Sequence, residues 1–235
     1  MQKINTYLKF IILIIILLII FVISLIYYKN TQRITKDISN LNLQNINKLM
    51  IVAHPDDELL WGGSHLIEDD YLVVCITCGT QKKRTTEFIR IMNETQDKYL
   101  MLGYPETTNG ERDNWDTSRQ SLTDDLKKII NYKDWKIIVT HNPEGEYGHI
   151  HHKLTSEIVT NIITKNQNLY YFGHYYTKKN IAKYYDQMMP ISNNNLSIKK
   201  NLLGLYKTQQ FIQTNFDHIY AYEEWIKSEE WEPKE

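Results

Sequence analysis

Leu49-Met50-Ile51-Val52-Ala53-His54-Pro55-Asp56-Asp57-Glu58 is an apolar run that stops abruptly in a histidine and three carboxylates. Loops at the carboxyl ends of parallel strands line the crevice where ligands bind, so this acidic turn reads as a strand-end loop facing a site. Much later comes Gly148-His149-Ile150-His151-His152. The two clusters together read as one metal site. A His and an Asp three residues apart can reach the same divalent ion from a tight turn, and a third ligand from a distant segment leaves one position open for water. An open position implies catalysis rather than scaffolding.

Outward from this turn, strand-like and helix-like segments alternate. Leu59–Ile67 suggests a short helix and Tyr71–Cys78 a second strand, ended by Gly79. The spacing of Phe88, Ile89, Met92, Gln96, Tyr99 and Leu100 predicts a helix over Thr85–Leu102, stopped by Gly103 and Pro105. Residues 104–118 read as a polar loop, and a helix starts at Ser121 or Thr123 and runs to Ile130. Trp135–Thr140 is strand-like and again ends in polar residues, His141-Asn142-Pro143. The Gly145–Gly148 loop leads into a helix over His152–Thr164, followed by a strand at Leu169–Phe172 and a helix at Asn201–Phe211. No internal repeat is visible. The expected fold class is α/β, a Rossmann-like, mainly parallel sheet with helices on both faces.

The chain has 235 residues and 42% hydrophobic composition, enough for one substantial domain and an appendage. Its 27 basic and 28 acidic side chains give a formal charge of -1, so no global field draws it to nucleic acid. Cys75 and Cys78 lie three apart on a strand and point to opposite faces, which reads as buried structural thiols rather than a redox or thiolate-zinc pair.

Phe10–Tyr28 is apolar except for Ser24, and at ~1.5 Å per residue it reaches about 30 Å as a helix. No small-x-small cleavage site follows, so the stretch reads as an uncleaved single-pass membrane anchor rather than a cleaved signal or a buried helix, with Tyr27 and Tyr28 at the interface. Lys3 and Lys9 precede it, and Lys29, Arg33 and Lys36 follow it; this slight excess favours a cytoplasmic domain. Sequons at Asn93 and Asn195 read as chance in an Asn-rich chain. The expected organisation is an anchor over 1–29, a polar linker over 30–46 and a folded domain over 47–235.

Ala53-His54-Pro55-Asp56-Asp57-Glu58 together with Gly148-His149-Ile150-His151-His152 resembles the PIG-L/LmbE family of metal-dependent N-deacetylases, and the resemblance covers most of residues 47–210. It implies that His54, Asp57 and His152 hold Zn²⁺ or another divalent ion such as Fe²⁺, with Asp56 as general base. It places His149 and Tyr147 beside the oxyanion, with a protonated His149 as donor to the leaving amine. Many members carry Asp where this chain has His151, and an Asp would stabilise a charged His149 whereas a His would not. Glu146 or a residue from a remote loop is the expected substitute. Arg84, Glu87, Leu102-Gly103 and Asp113 resemble a substrate-side segment of the family, with Arg84 and Asp113 as substrate-binding residues, and Tyr206 with Gln209 resembles a late motif. Glu58 is expected to orient the metal loop, His141 to hydrogen-bond backbone near the site, and His65 to be structural.

The implied activity is removal of the N-acetyl group from an N-acetylglucosamine-type sugar, with lipid-linked or glycan-linked forms such as N-acetylglucosaminylphosphatidylinositol among the candidates. Two other readings stay open: a catalytically silent carbohydrate-binding or scaffold protein, and an amidase acting on a non-sugar amide.

Overall fold

The structure, a computed structural model, describes residues 2–234; within the first helix the side chains described are those of Tyr7, residues 9–22, Ile34 and residues 37–39, and that of Gln213 is also left out. The chain divides into two units, residues 1–40 and 41–235. The first is a single helix, α1 (Gln2–Ser39). Helical geometry therefore continues through most of the stretch whose polarity predicts a linker. The side chains of Phe10 to Val22 are all exposed on it. Among the described residues no helix is long and apolar enough to cross a membrane. The side chains of residues 23–28, including the Tyr27 and Tyr28 expected at an interface, lie outside the described residues.

The second unit runs β1 (Lys48–Val52), α2 (Asp57–Glu68), β2 (Leu72–Thr77), α3 (Lys82–Thr95), β3 (Lys98–Tyr104), the short pair β4 (Thr107–Thr108) and β5 (Glu111–Arg112), α4 (Arg119–Ile130), β6 (Ile137–Thr140), α5 (Ile150–Ile162), β7 (Leu169–Phe172), α6 (Asn193–Leu203), α7 (Phe211–Asn215) and β8 (Trp225–Lys227). Six strands form one sheet in the order β3-β2-β1-β6-β7-β8, all parallel except the β7–β8 pair. The chain builds outward from β1 to β3, then crosses to the other side of β1 and builds outward again. That reversal opens a crevice between the carboxyl ends of β1 and β6. Leu49–Val52 and Leu72–Ile76 are completely buried, as continuous apolar runs in a parallel sheet are when helices cover both faces.

Three departures from the sequence expectation have local causes. The helix expected over 85–102 ends at Thr95, because Gln96 adopts a left-handed conformation (φ 65°) and the Asp97 carboxylate accepts the Tyr71 N–H at 2.7 Å. Residues 98–104 then pair with β2 as an edge strand, so the apolar period read across 88–100 joins two elements. Inside the expected polar loop, Asn109 (φ 55°) and Gly110 (φ 84°) make a turn between β4 and β5. The late helix lies earlier, at Asn193–Leu203, where Ser192 caps it by accepting the Asn195 N–H. Cys75 and Cys78 are both free and buried.

Candidate active site

The loop after β1 is held open against local preference. Asp56 has φ 119° and precedes α2, yet its carboxylate makes no capping bond to the helix. A non-glycine residue there is strained, and the surroundings must impose it. Glu58, completely buried, accepts the Asp56 N–H at 2.9 Å and the Tyr206 hydroxyl at 2.6 Å. Arg84 donates to the Pro55 carbonyl at 3.2 Å and pairs with Glu106 at 2.8 Å. Pinned this way, the turn leaves Asp57 free to accept the His54 N–H at 2.8 Å with one oxygen.

The loop after β6 supplies the other half. Gly145 has φ 68°, and a Cβ there would stand 2.7 Å from the His149 carbonyl oxygen, so the turn requires glycine. It buries Glu146, whose carboxylate accepts from His152 Nδ1 at 2.5 Å, from His141 Nδ1 at 3.0 Å and from the Asn142 N–H at 3.0 Å. His141 Nε2 in turn accepts the Ala53 N–H at 2.9 Å, which ties the two loops together.

These bonds fix where protons lie. His152 donates through Nδ1, so its Nε2 is the nitrogen left to face an ion or, without one, to carry a proton, 3.3 Å from Asp57 Oδ1 and 3.3 Å from His54 Nδ1. His54 Nδ1 is 3.2 Å from Asp57 Oδ2. Two imidazole nitrogens thus face each other and one carboxylate, each nitrogen against a different Asp57 oxygen. A tetrahedral ion with bonds of about 2.0–2.1 Å separates its ligand atoms by about 3.3–3.4 Å, close to the His54–His152 separation and to that of each imidazole from its nearer Asp57 oxygen. Burial disfavours charge on His54 and lowers it to about 4, leaving the neutral form a metal ligand needs. Burial opposes charge on His152 too, but Asp57 and Glu146 on either side raise it to about 10, so the field at this point favours a cation. Burial likewise works against ionisation of Asp57, and the neighbouring His152 nonetheless holds its carboxyl well below the usual range. The donor set fits a divalent ion held by His54, Asp57 and His152, with Glu146 orienting His152 from behind.

His54 and Asp57 of the triad line a cavity of about 440 Å³, while His152 is completely buried. Asp56, Tyr147 and His149 line it beside the triad; Arg84, Glu106 and Arg112 make a charged wall, and Tyr175, Phe211, Ile212 and Phe216 an apolar one. Burial, reinforced by the charge of Asp57, pushes the Asp56 carboxyl well up. Partial burial and the same two aspartates raise the Tyr147 phenol, which keeps its proton. His149 caps α5 by accepting the His151 N–H on Nδ1 at 3.2 Å, and burial, with His152 and His54 nearby, drives its pKa far down.

Residues 49–163 match the family described as PIG-L, GlcNAc-PI de-N-acetylase. An uncharacterised protein of Acanthamoeba polyphaga mimivirus is 34% identical over 191 residues, covering 74% of this chain and 76% of the relative. The chain belongs to the PIG-L family. Among solved structures, the N,N'-diacetylchitobiose deacetylase from Pyrococcus horikoshii shares the fold at TM-score 0.52 and 15% identity, with 76% of this chain and 77% of that one covered. A 4-carboxy-2-hydroxymuconate hydratase from Pseudomonas putida aligns at TM-score 0.48 and 12% identity over 74% of this chain and 84% of that one, a likeness that carries no argument.

Of the residues the PIG-L motifs imply, the structure brings His54, Asp57 and His152 together and sets Asp56, Tyr147 and His149 around them. It departs from expectation in three places. His149 is held neutral, so the structure gives no support for a protonated donor there. Glu146 bonds His152 and His141 rather than His149. Asp113 turns its carboxylate into its own loop, accepting from Thr108 Oγ1 and from the Trp115 N–H at 2.6 Å, and does not line the cavity. Arg84 lines the cavity, as a substrate-side residue would, and donates to Pro55 and Glu106. Glu87 accepts the Thr208 N–H at 3.0 Å, linking α3 to the turn that holds Gln209 at the cavity wall. Two cavity residues, Glu106 and Arg112, carry no motif; the turn signal Asn109-Gly110 beside Arg112 is the one local cue to the hairpin that presents it.

Proposed function

We propose that this chain is a metal-dependent hydrolase that removes the acetyl group from the 2-acetamido nitrogen of an N-acetylglucosamine-type sugar, with Zn²⁺ as its ion. The carrying observation is the convergence of His54 Nδ1, His152 Nε2 and the two Asp57 oxygens at 3.2–3.3 Å, with His54 and Asp57 lining the cavity. A divalent ion held there would polarise the amide carbonyl and acidify water. Asp56, made more basic by burial, takes a proton as water adds to the carbonyl carbon, and returns it to the nitrogen as the C–N bond breaks. The Tyr147 hydroxyl donates to the developing oxyanion. His149, neutral with its remaining proton on Nε2, donates a hydrogen bond rather than a positive charge. The sugar assignment draws support from the family description and from the deacetylase that shares the fold. The test is amine release from a panel of N-acetylglucosaminyl compounds, lipid-linked and soluble, with and without chelator. Activity that survives both chelation and His54→Ala refutes the reading.

We also propose that α1 tethers this domain to a membrane, with the domain on the cytoplasmic side. The support is the apolar run Phe10–Tyr28 and the exposure of Phe10 to Val22. The full chain should sediment with membranes and resist high-salt extraction, while residues 41–235 stay in the supernatant. Release of the full chain by salt alone would contradict the tether, and protease protection of the domain in sealed vesicles distinguishes the two sides.

A further inference from the structure

His54 has two ring nitrogens and the ion needs one of them. Nδ1 faces Asp57 and His152; Nε2 lies 2.9 Å from His151 Nδ1. His151 Nε2 is 2.6 Å from the Asp113 carbonyl oxygen, which can only accept. His151 therefore carries its proton on Nε2 and offers a lone pair at Nδ1, so His54 must be the donor through Nε2–H. That assignment leaves the lone pair of His54 on Nδ1, pointing into the triad.

The chain of bonds is anchored at its far end. Trp115 is completely buried and its ring stacks on His151 at 4.5 Å with 2° between planes. The Trp115 indole N–H donates to the Pro105 carbonyl at 2.8 Å, and its backbone N–H donates to the Asp113 carboxylate. Asp113 thus stiffens the loop that carries the accepting carbonyl. Trp115, at φ 58°, takes a left-handed conformation to reach this position.

We infer that His151 is the positioning residue for His54, selecting by its Nδ1 the tautomer and ring orientation that present His54 Nδ1 to the ion. The role rests on the reading of His54 as an ion ligand. It is distinct from support of His149, whose Nδ1 is occupied by the backbone N–H of residue 151 rather than by its side chain. The nitrogens of His54, His149 and His151 also lie close enough to share a second ion, but the proton assignments oppose it: His54 Nε2 bears hydrogen, and His149 accepts at Nδ1 and so bears hydrogen on Nε2.

The test compares zinc affinity of the full chain, measured by competition with a chromophoric chelator, across three substitutions. In His151→Asn the amide oxygen stands in for Nδ1 and accepts from His54. In His151→Gln the oxygen reaches instead toward the Nε2 position, and His151→Leu offers no acceptor. Loss of such a partner typically weakens metal binding about 10–100-fold, so Gln and Leu should loosen zinc by that range while Asn stays near the parent, at one ion per chain. If Leu fails to fold, the Asn–Gln pair carries the comparison. Equal affinities across the series, equal losses in Asn and Gln, or two ions on the parent with one on every variant would overturn the assignment. A parent chain that binds no zinc overturns the ligand reading as well, which separates the two failures.

Discussion

Raising the pH of the zinc-free chain should destabilise it, with His152 supplying a part that substitution can isolate. His152 is completely buried between Asp57 and Glu146, and the two carboxylates lift it from 6.5 to about 10. A group whose folded pKa lies above its unfolded value contributes stability that is whole below pH 6.5 and is lost as pH rises through 10. Between these limits the folded chain binds one more proton than the unfolded chain, so stability falls by about 1.4 kcal/mol per pH unit. The range from pH 7.5 to 9 is the window to read, with His152→Asn separating its part from those of the Asp56 carboxyl and the Cys75 and Cys78 thiols, which burial also raises. Glu58, raised by burial to about 7, and Asp97, raised by burial to about 7, have finished most of their contribution below it. Over that window the loss is about 2 kcal/mol, or about 4–8 °C in Tm for a domain of this size. The assay is thermal unfolding in chelator at several pH values, repeated with saturating zinc and with His152→Asn. Zinc replaces the proton and should reduce the fall by about 2 kcal/mol over this window, and the variant should reduce it likewise. An unchanged slope in the variant, or no slope in the parent, would refute the account of the site's field.

Asp56→Asn should lower kcat/KM by about 10²–10⁴ while zinc stoichiometry stays at one, because the residue lines the cavity without contributing to the triad; its stability should hold or rise, since Asn tolerates the left-handed region better and a buried carboxylate is removed. Tyr147→Phe should reduce kcat by about 10²–10³ with little change in KM, read from steady-state kinetics. Lys199, completely buried, bonds Glu223 at 2.7 Å and the Leu60 carbonyl at 2.9 Å; Lys199→Ala should cost about 3–5 kcal/mol in urea unfolding by stranding the Glu223 charge, and a loss under 1 kcal/mol would contradict that.

What could be read from the chain divides by range. The acidic turn announces itself because a strand end, a His and an Asp three apart are all local, and the GHIHH run marks its partner segment. β3 and the Asn109-Gly110 hairpin are less legible: Tyr99 and Leu100 continue the apolar period of α3, and only Gln96 in a left-handed conformation with the Asp97 bond to Tyr71 breaks it. The roles of Glu146 and His151 are set by which nitrogen faces which acceptor across loops that meet only in the fold. Spacing carries no information about that. Sequence proximity even points the wrong way, since residue 151 stands two positions from His149 yet its ring bonds His54.

That reassignment bears on how a PIG-L chain tolerates His at position 151. An acid at this point could support a charged His149; here α5 begins at Ile150 with His149 as its cap, so the N–H of residue 151 occupies the nitrogen such an acid would need. With that nitrogen filled by backbone, the side chain at 151 is free to face elsewhere, and the nearest ring with an unused proton is His54. A neutral acceptor suffices there, because His54 is lowered by burial and donates as a neutral imidazole. A carboxylate in the same place would strengthen the bond but add a further negative charge close to Glu106, whose pairing with Arg84 is shared with the Pro55 carbonyl. A histidine orients the ligand without that added charge, and its flat ring also stacks on Trp115, a contact no carboxylate of this length would make.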